Sequence, residues 1–214
     1  MDDYQDLLRI SVASAGNDHR LGANEAPPAI VSIFLGDELT AVLEAIAKGE
    51  VYDGNPQAYI KVSDDTIPAL VKDNTDRNRT SPFAFTGNKF EFRMLGSMFS
   101  IAGPNIVINT IVADALDFVA EKLENSADLE ADVYDLVKEI YLAHKRIVFN
   151  GNGYSEEWVE EAQRRGLLNL KNTPDALPLM ASEKNIALFE KYHIFTATEV
   201  KSRVNILLEN YTTV

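Results

Sequence analysis

The sequence has no cysteine among its 214 residues, which excludes disulfide bonds, thiolate zinc sites and thiol nucleophiles. It also lacks a basic segment followed by an apolar one at its start, and no apolar run approaches the ~20 residues that span a bilayer. Basic residues are scarce, with 20 lysines and arginines against 33 acidic residues and a net charge of −13. Because nucleic acids and anionic membranes bind basic patches, neither partner is expected. These features predict a soluble, cytoplasmic chain.

Motifs for nucleotide phosphates and for serine hydrolases are missing as well. The chain contains neither G-x-x-x-x-G-K-[ST] nor G-x-G-x-x-G, and it has no G-x-S-x-G elbow. Its three histidines, His19, His144 and His193, do not stand one helical turn apart, as a pair of histidine metal ligands would. What remains is an ordinary globular composition, with 46% hydrophobic and 25% charged residues.

Apolar periodicity predicts a first half of mixed structure and a helical second half. In the first half we expect a helix over 3–15 interrupted at Gly16, a polar loop over 17–28, a buried strand over 29–35, a helix between Gly36 and Gly49, and irregular structure over 51–72. In the second half we expect helices over 105–123, 128–147, 155–165 and 182–192, and a last helix that a capping box opens at Thr196. A few strands followed by helices indicate an α+β fold with an incomplete sheet.

Two short aromatic patterns, Phe83-Ala-Phe85 and Phe90-Glu-Phe-Arg93, predict neighbouring strands. Alternation places Phe90 and Phe92 on one face of the second strand and Glu91 and Arg93 on the other, roughly 7 Å apart. A carboxylate and a guanidinium on a rigid strand suit a metal and an anionic substrate. The alternative is a solvent-facing strand whose charges form a cross-strand ion pair.

Three further charged residues lie in segments that we expect to be loops. Arg20 is suited to clamp a carboxylate, and Glu25 to act as a base or to receive a cation. The alternative for both is a surface loop with solvated charges. Arg79 lies close to Arg77 and just before the first aromatic strand. It is suited to bind phosphate oxygens, and the equally weighted alternative is a solvent-exposed side chain.

Three motifs occur in a fixed order: N-D-H-R-L-G-A-N-E-A-P-P over 17–28, N-R-T-S over 78–81 and K-F-E-F-R over 89–93. As a set they resemble the substrate-side half of the glutamine synthetase catalytic domain, in which a K-R-L-x-x-x-x-E-A-P loop precedes an N-R-S strand and an R-I-E-x-R strand. The residues of these motifs are most similar to those of the type III enzymes. The resemblance implies a partial antiparallel sheet of that domain in residues 1–124, with an insertion at about 37–77, and a helical continuation over 125–214.

The resemblance also implies an activity and a role for each candidate residue. The family makes glutamine from glutamate, ammonia and ATP through a γ-glutamyl phosphate, with Mg²⁺ or Mn²⁺ as cofactor, in rings of identical subunits. By position, Arg20 would bind glutamate, Arg93 would bind glutamate or phosphoryl oxygens, and Glu91 would bind the metal. Glu25 would help to deprotonate ammonium, and Arg79 would meet the transferring phosphoryl group.

The sequence departs from the family pattern in two ways. Ala84 stands where common forms of the family carry a second arginine, and the family's earlier acidic metal ligands, its H-x-S segment and its β-grasp domain are not in these residues. Glu91 alone would hold a divalent cation poorly, so we expect a fragment that is inactive in isolation. One rival hypothesis is a non-catalytic binding or regulatory module of the same fold. The other is an unrelated α+β interaction protein, in which Arg20, Glu25, Glu91 and Arg93 would be scattered.

Overall fold

A computed structural model describes residues 1–23, 26–54, 59–60, 70–71 and 80–213, of which 59–60 and 70–71 are described by their backbone alone. Its α-helices are α1 (Gln5–Ile10), α2 (Ala15–Arg20), α3 (Gly36–Lys48), α4 (Ala102–Leu123), α5 (Leu129–His144), α6 (Glu156–Arg164), α7 (Thr173–Ala176), α8 (Glu183–Lys191) and α9 (Ala197–Thr212). Its strands are β1 (Ile33–Phe34), β2 (Tyr59–Ile60), β3 (Leu70–Val71), β4 (Phe83–Phe85) and β5 (Phe90–Phe92). This content confirms the α+β class and the mainly helical second half.

The main sheet has three strands in the order β1-β4-β5, and it is mixed rather than wholly antiparallel. Strand β4 pairs antiparallel with β5 through a tight turn, but it pairs parallel with β1. Strands β1 and β4 are joined by a long connection that contains α3, and such a connection can return the chain in the same direction, which a hairpin cannot. The predicted irregular segment over 51–72 also contains a small antiparallel ladder, β2 with β3.

The predicted helix over 3–15 is in fact two helices, and the predicted break at Gly16 is wrong. Helix α1 ends at Ile10, and Ser14 adopts an extended backbone and accepts a hydrogen bond from the Asn17 N–H, which starts α2. Because a side-chain cap favours a new helix, α2 runs through Gly16 to Arg20 and occupies the first part of the predicted polar loop. A Cβ at Gly16 would lie 2.9 Å from the Phe99 ring, so the glycine allows close packing there.

The other predicted elements match the structure closely, apart from the strand over 29–35, of which only β1 forms. Helix α3 ends at Gly49, whose φ of 73° is left-handed as expected of a glycine that terminates a helix. Ser155 caps α6, and Thr196 and Glu199 form the predicted capping box of α9. Helix α7 and the 3-10 turn Leu177–Ala181 were not predicted; α7 is only four residues long.

The hydrophobic core forms around α1, all six residues of which are buried. Leu7 and Leu8 have no exposed surface, and the cluster around them includes Trp158, Phe189 and Val200 from the second half of the chain. Burial of such side chains contributes about 1.5–3 kcal/mol each relative to exposure. Residues from both halves therefore share one core. Among the helices that the structure describes, none is both long and apolar enough to cross a bilayer.

Helix α1 also buries polar groups, and each of them is anchored to a distant element. Arg9 is 1% exposed and donates to Asp18 Oδ1 at 2.6 Å and to the Leu170 carbonyl at 2.7 Å. Asp6 accepts from Asn185 at 2.8 Å and from Lys184 at 3.1 Å. Because a buried charge without a partner is costly, these contacts determine how α2 and α8 pack against α1.

The buried carboxylate of Asp2 generates a prediction about stability and pH. Burial raises the pKa of Asp2, but hydrogen bonds from Arg146 at 2.9 Å and from His144 at 3.1 Å outweigh it, so the pKa lies below its ordinary value. The ionised group therefore stabilises the fold above pH ~5, and this stabilisation is lost as the pH falls through the folded-state pKa. We expect Asp2→Asn to lower the free energy of unfolding at pH 7 by about 1–3 kcal/mol.

Urea unfolding at pH 7 and at pH 3 checks this expectation, because the variant and the wild type should become closer in stability at the lower pH. Asp3→Asn is the matched control: the Asp3 side chain is 67% exposed, and its substitution should change the free energy by less than about 0.5 kcal/mol. An equal loss in the two variants would contradict the assignment of stability to the Asp2 contacts.

Candidate functional site

The structure describes three of the five predicted site residues. Arg20, Glu91 and Arg93 are described, whereas Glu25 and Arg79 lie outside the described residues. The described three lie close to one another, at the end of β5, although Arg20 is 73 residues from Arg93 in sequence. Their proximity argues against the scattered arrangement that the unrelated-protein hypothesis expects.

Strand β5 has the two faces that alternation predicts. Phe83 pairs with Phe92 and Phe85 with Phe90 across the strands, and neighbouring ring centroids lie 5.2–6.1 Å apart. On the opposite face Ala84 pairs with Glu91. The prediction of an aromatic face and an ionic face is therefore confirmed.

Among the described residues, the ion pairs of Glu91 are with Lys89 and Arg93, which flank β5 two residues away on either side, and not with a residue of a neighbouring strand. Glu91 Oε2 accepts from Arg93 Nη2 at 3.1 Å and from Arg93 Nε at 3.2 Å, and its Oε1 lies 3.3 Å from the Lys89 ammonium. The hydrogen bond from Arg93, and then that from Lys89, hold the pKa of Glu91 below its ordinary value. Glu91 is therefore a carboxylate at neutral pH, and at 39% exposure its side chain is accessible.

Arg20 lies at the end of α2, where its guanidinium contacts the backbone that follows β5. It donates to the Met94 carbonyl at 2.9 Å, to the Arg93 carbonyl at 3.3 Å and to Asn17 Oδ1 at 3.4 Å. These bonds use three of the five N–H donors of an arginine. Within the described part of the chain, the other two donors have no acceptor. Arg20 is thus held in place by backbone and keeps two donors for an anion.

Two buried polar groups that support Arg20 were not predicted as site residues. Asn17 is fully buried and contacts both α2 and the segment after β5. Asp18 accepts from Arg9, from the Thr173 N–H at 2.7 Å and from the Thr173 hydroxyl at 3.0 Å. The sequence does contain a helix-capping pattern here, because Ser14 stands three residues before Asn17. That pattern predicts a helix start but not the partners of the asparagine side chain.

The described residues alone do not fit Mg²⁺ or Mn²⁺. In the part of the chain that the structure describes, no three histidine or acidic side chains gather where they could hold a metal. Glu91 is the single carboxylate at the end of β5 that was predicted as a ligand, and both of its oxygens face cationic neighbours. A hard divalent cation prefers six or more oxygen ligands.

An apolar cavity of about 440 Å³ lies on the other side of the 95–100 segment, between α1, α4 and α9. Its walls include Leu7, Phe99, Ile106 and Leu207, and Arg203 is the charged residue among those that line it. The cavity does not include Arg20, Glu91 or Arg93 in its lining, so it is separate from the charged end of β5.

Comparisons with known proteins give one consistent family. Residues 132–214 match the family model for the glutamine synthetase C-terminal domain. The chain is 51% identical over 99% of its length to a glutamine synthetase from Butyrivibrio fibrisolvens and 49% identical over 99% to a type-3 glutamine synthetase from Dictyostelium discoideum. It is 44% identical over 97% to a glutamine synthetase from Bacteroides fragilis (strain YCH46). The chain spans about 30% of the length of these relatives.

Ala84 generates a prediction, because it is fully buried while its partner across the sheet, Glu91, is accessible. An arginine at position 84 would have to force a long charged side chain into filled space. We expect Ala84→Arg to lower the free energy of unfolding by about 1–3 kcal/mol or more, through overpacking and the burial of charge. Lys89→Arg, at a side chain that is 64% exposed, is the matched control and should change it by less than about 0.5 kcal/mol.

Chemical unfolding of the two variants beside the wild-type chain checks this prediction. Wild-type stability for Ala84→Arg would mean that position 84 has room for the family's second arginine.

Proposed function

Because the chain belongs to the glutamine synthetase family, we propose that it supplies the glutamate-binding strand and loop of a type III, ATP-dependent glutamate–ammonia ligase. The observation that carries the proposal is that the Arg20 guanidinium is bound to the backbone carbonyl of Arg93, whose own side chain pairs with the Glu91 carboxylate. Two arginines held by a rigid framework at the end of β5 suit a small dicarboxylate such as glutamate, since each guanidinium can form paired hydrogen bonds with a carboxylate.

Each residue has a distinct part in this proposal. The two remaining donors of Arg20 bind one carboxylate of glutamate, and Arg93 binds a carboxylate or the phosphoryl oxygens. Glu91 holds the Arg93 guanidinium in place through its two contacts at 3.1 and 3.2 Å. Glu25 takes the proton from ammonium, and Arg79 neutralises the transferring phosphoryl group, as phosphoryl transfer mainly requires positioning and charge neutralisation.

ATP and the divalent cation need more than the described residues provide. Glu91 would supply one ligand for a metal while it shares its oxygens with Lys89 and Arg93, and further carboxylates must come from elsewhere. We therefore propose that the 214 residues are inactive alone and act within a longer, cytoplasmic polypeptide that assembles into a ring. In the same proposal, residues 1–124 are part of the catalytic domain and residues 125–214 are its helical continuation.

A segment exchange tests the proposal directly. The segment of the Butyrivibrio fibrisolvens relative that aligns with this chain is replaced by the 214 residues, and glutamine formation is measured for the chimera and for the 214-residue chain alone. We expect the folded chimera to make glutamine from glutamate, ammonia and ATP, and the chain alone to make none. A folded but inactive chimera would favour the hypothesis of a non-catalytic module. Tight stoichiometric binding of ATP and Mg²⁺ by the chain alone would contradict the expectation that these residues hold too few metal ligands.

Glu91 offers a sharper prediction in the same chimera. Glu91→Gln keeps the shape of the side chain but removes the charge that holds Arg93. We expect kcat/KM for glutamate to fall about 10- to 100-fold, as for other groups that orient a binding residue. The melting temperature should hardly change, because exposed ion pairs contribute little to stability.

Lys89→Gln is the control for that experiment, because it removes the other ion-pair partner of Glu91 at a side chain that is 64% exposed. We expect it to change kcat/KM less than threefold. Equal losses of kcat/KM for glutamate in Glu91→Gln and Lys89→Gln would show that the charge of Glu91 has no special role in placing Arg93.

A further inference from the structure

A single buried amide connects Arg20 to the backbone that follows Arg93. Asn17 has no exposed surface, and its side chain forms four hydrogen bonds, two as donor and two as acceptor. Its Nδ2 donates to the Val12 carbonyl at 2.9 Å and to the Met94 carbonyl at 3.0 Å. Its Oδ1 accepts from the Gly96 N–H at 3.1 Å and from Arg20 Nη1 at 3.4 Å.

These four bonds use the full hydrogen-bonding capacity of an asparagine side chain. Aspartate would offer no donor to the two carbonyls, and alanine would offer neither donor nor acceptor. Burial removes water as a substitute partner, so aspartate leaves the Val12 carbonyl without its donor, and alanine leaves both that carbonyl and the Gly96 N–H without a side-chain partner. The arrangement therefore specifies asparagine at position 17.

The network also determines where Arg20 and Arg93 lie relative to each other. Asn17 and Arg20 are one turn apart on α2, and Met94 directly follows Arg93. The Met94 carbonyl accepts from both Asn17 and Arg20, so one backbone group receives both side chains. A shift of the Asn17 contacts would move the end of α2 against the end of β5, and with it the Arg20 guanidinium relative to the backbone of Arg93 and Met94.

Gly96 contributes to the same contact by its small size. A Cβ at this position would lie 3.0 Å from two atoms of the Phe99 ring and 3.4 Å from Arg20 Cδ. The stem of Arg20 thus packs directly against the backbone to which Asn17 is bound. Because Phe99 is 37% exposed, its ring has room to move outward. The Arg20 guanidinium is instead held by its hydrogen bond to the Met94 carbonyl.

We propose that Asn17 is a positioning residue for glutamate binding, which acts by holding the Arg20 guanidinium against the backbone at and after Arg93. This inference rests on the proposed function of the two arginines. Asn17 does not touch the substrate in this proposal; it acts through Arg20 and through the backbone after Arg93.

The chain contains a matched control for Asn17. Asn185 is also fully buried, and it also stands three residues after a capping serine, Ser182, as Asn17 stands after Ser14. Its Nδ2 donates to Asp6 and to the Leu179 carbonyl, both at 2.8 Å, and neither residue belongs to the site. Asn185→Ala therefore removes a comparable buried amide elsewhere in the fold.

The test measures KM for glutamate and for ATP in the active chimera, below the melting temperature of each variant. Asn17→Ala should raise KM for glutamate about tenfold, since small misplacements of binding groups are costly, and should change KM for ATP less than twofold. Asn185→Ala should lower the melting temperature but change neither KM more than twofold. If Asn17 had only a structural role, Asn17→Ala and Asn185→Ala would change the melting temperature and the two KM values in the same way.

A second variant keeps the inference testable if Asn17→Ala does not fold. Gly96→Ala retains Asn17 but places a methyl group 3.0 Å from the Phe99 ring and 3.4 Å from Arg20 Cδ, and it should also raise KM for glutamate selectively. An unchanged KM for glutamate in a folded Asn17 or Gly96 variant would overturn the inference while leaving the proposed function intact. A folded wild-type chimera that makes no glutamine would overturn both.

Discussion

The buried ion pair between Arg9 and Asp18 is the constraint on which much of the structure depends. Arg9 lies in the fully buried helix α1, so its charge needs a partner, and Asp18 on α2 provides it at 2.6 Å. Breaking such a pair typically costs about 3–5 kcal/mol, because the remaining charge stays buried. Asp18 also receives two hydrogen bonds from Thr173, so the same carboxylate connects α1, α2 and the start of α7.

The placement of α2 in turn organises the charged end of β5. Once Asp18 holds α2 against α1, Asn17 and Arg20 on the same helix face the backbone of Met94 and Gly96. A structural ion pair and a proposed binding site are therefore carried by neighbouring residues of one short helix. This coupling explains how a six-residue helix can hold an arginine firmly without the support of its own length.

Local chemistry made part of the fold predictable. The caps Ser155 and Thr196, the glycine after α3 and the alternation of Phe90, Glu91 and Phe92 all act within a few residues, so these features were predicted correctly. Distant contacts account for part of what was not predicted: the parallel pairing of β1 with β4 depends on a long connection, and the close packing at Gly16 depends on Phe99, which lies far along the chain. The break at Gly16 was instead a local error, because the Ser14 cap that starts α2 was overlooked.

Spacing and residue type were enough to predict the helical second half, the two faces of β5 and the family to which the motifs belong. The sequence also contains two serine-capped asparagines, Asn17 and Asn185, that look alike in their local pattern. Their different partners follow from the fold: Asn17 contacts Arg20 and the backbone after Arg93, whereas Asn185 contacts Asp6. The physical reason is that a buried amide takes its role from partners that the fold brings to it, and those partners lie 77 and 179 residues away.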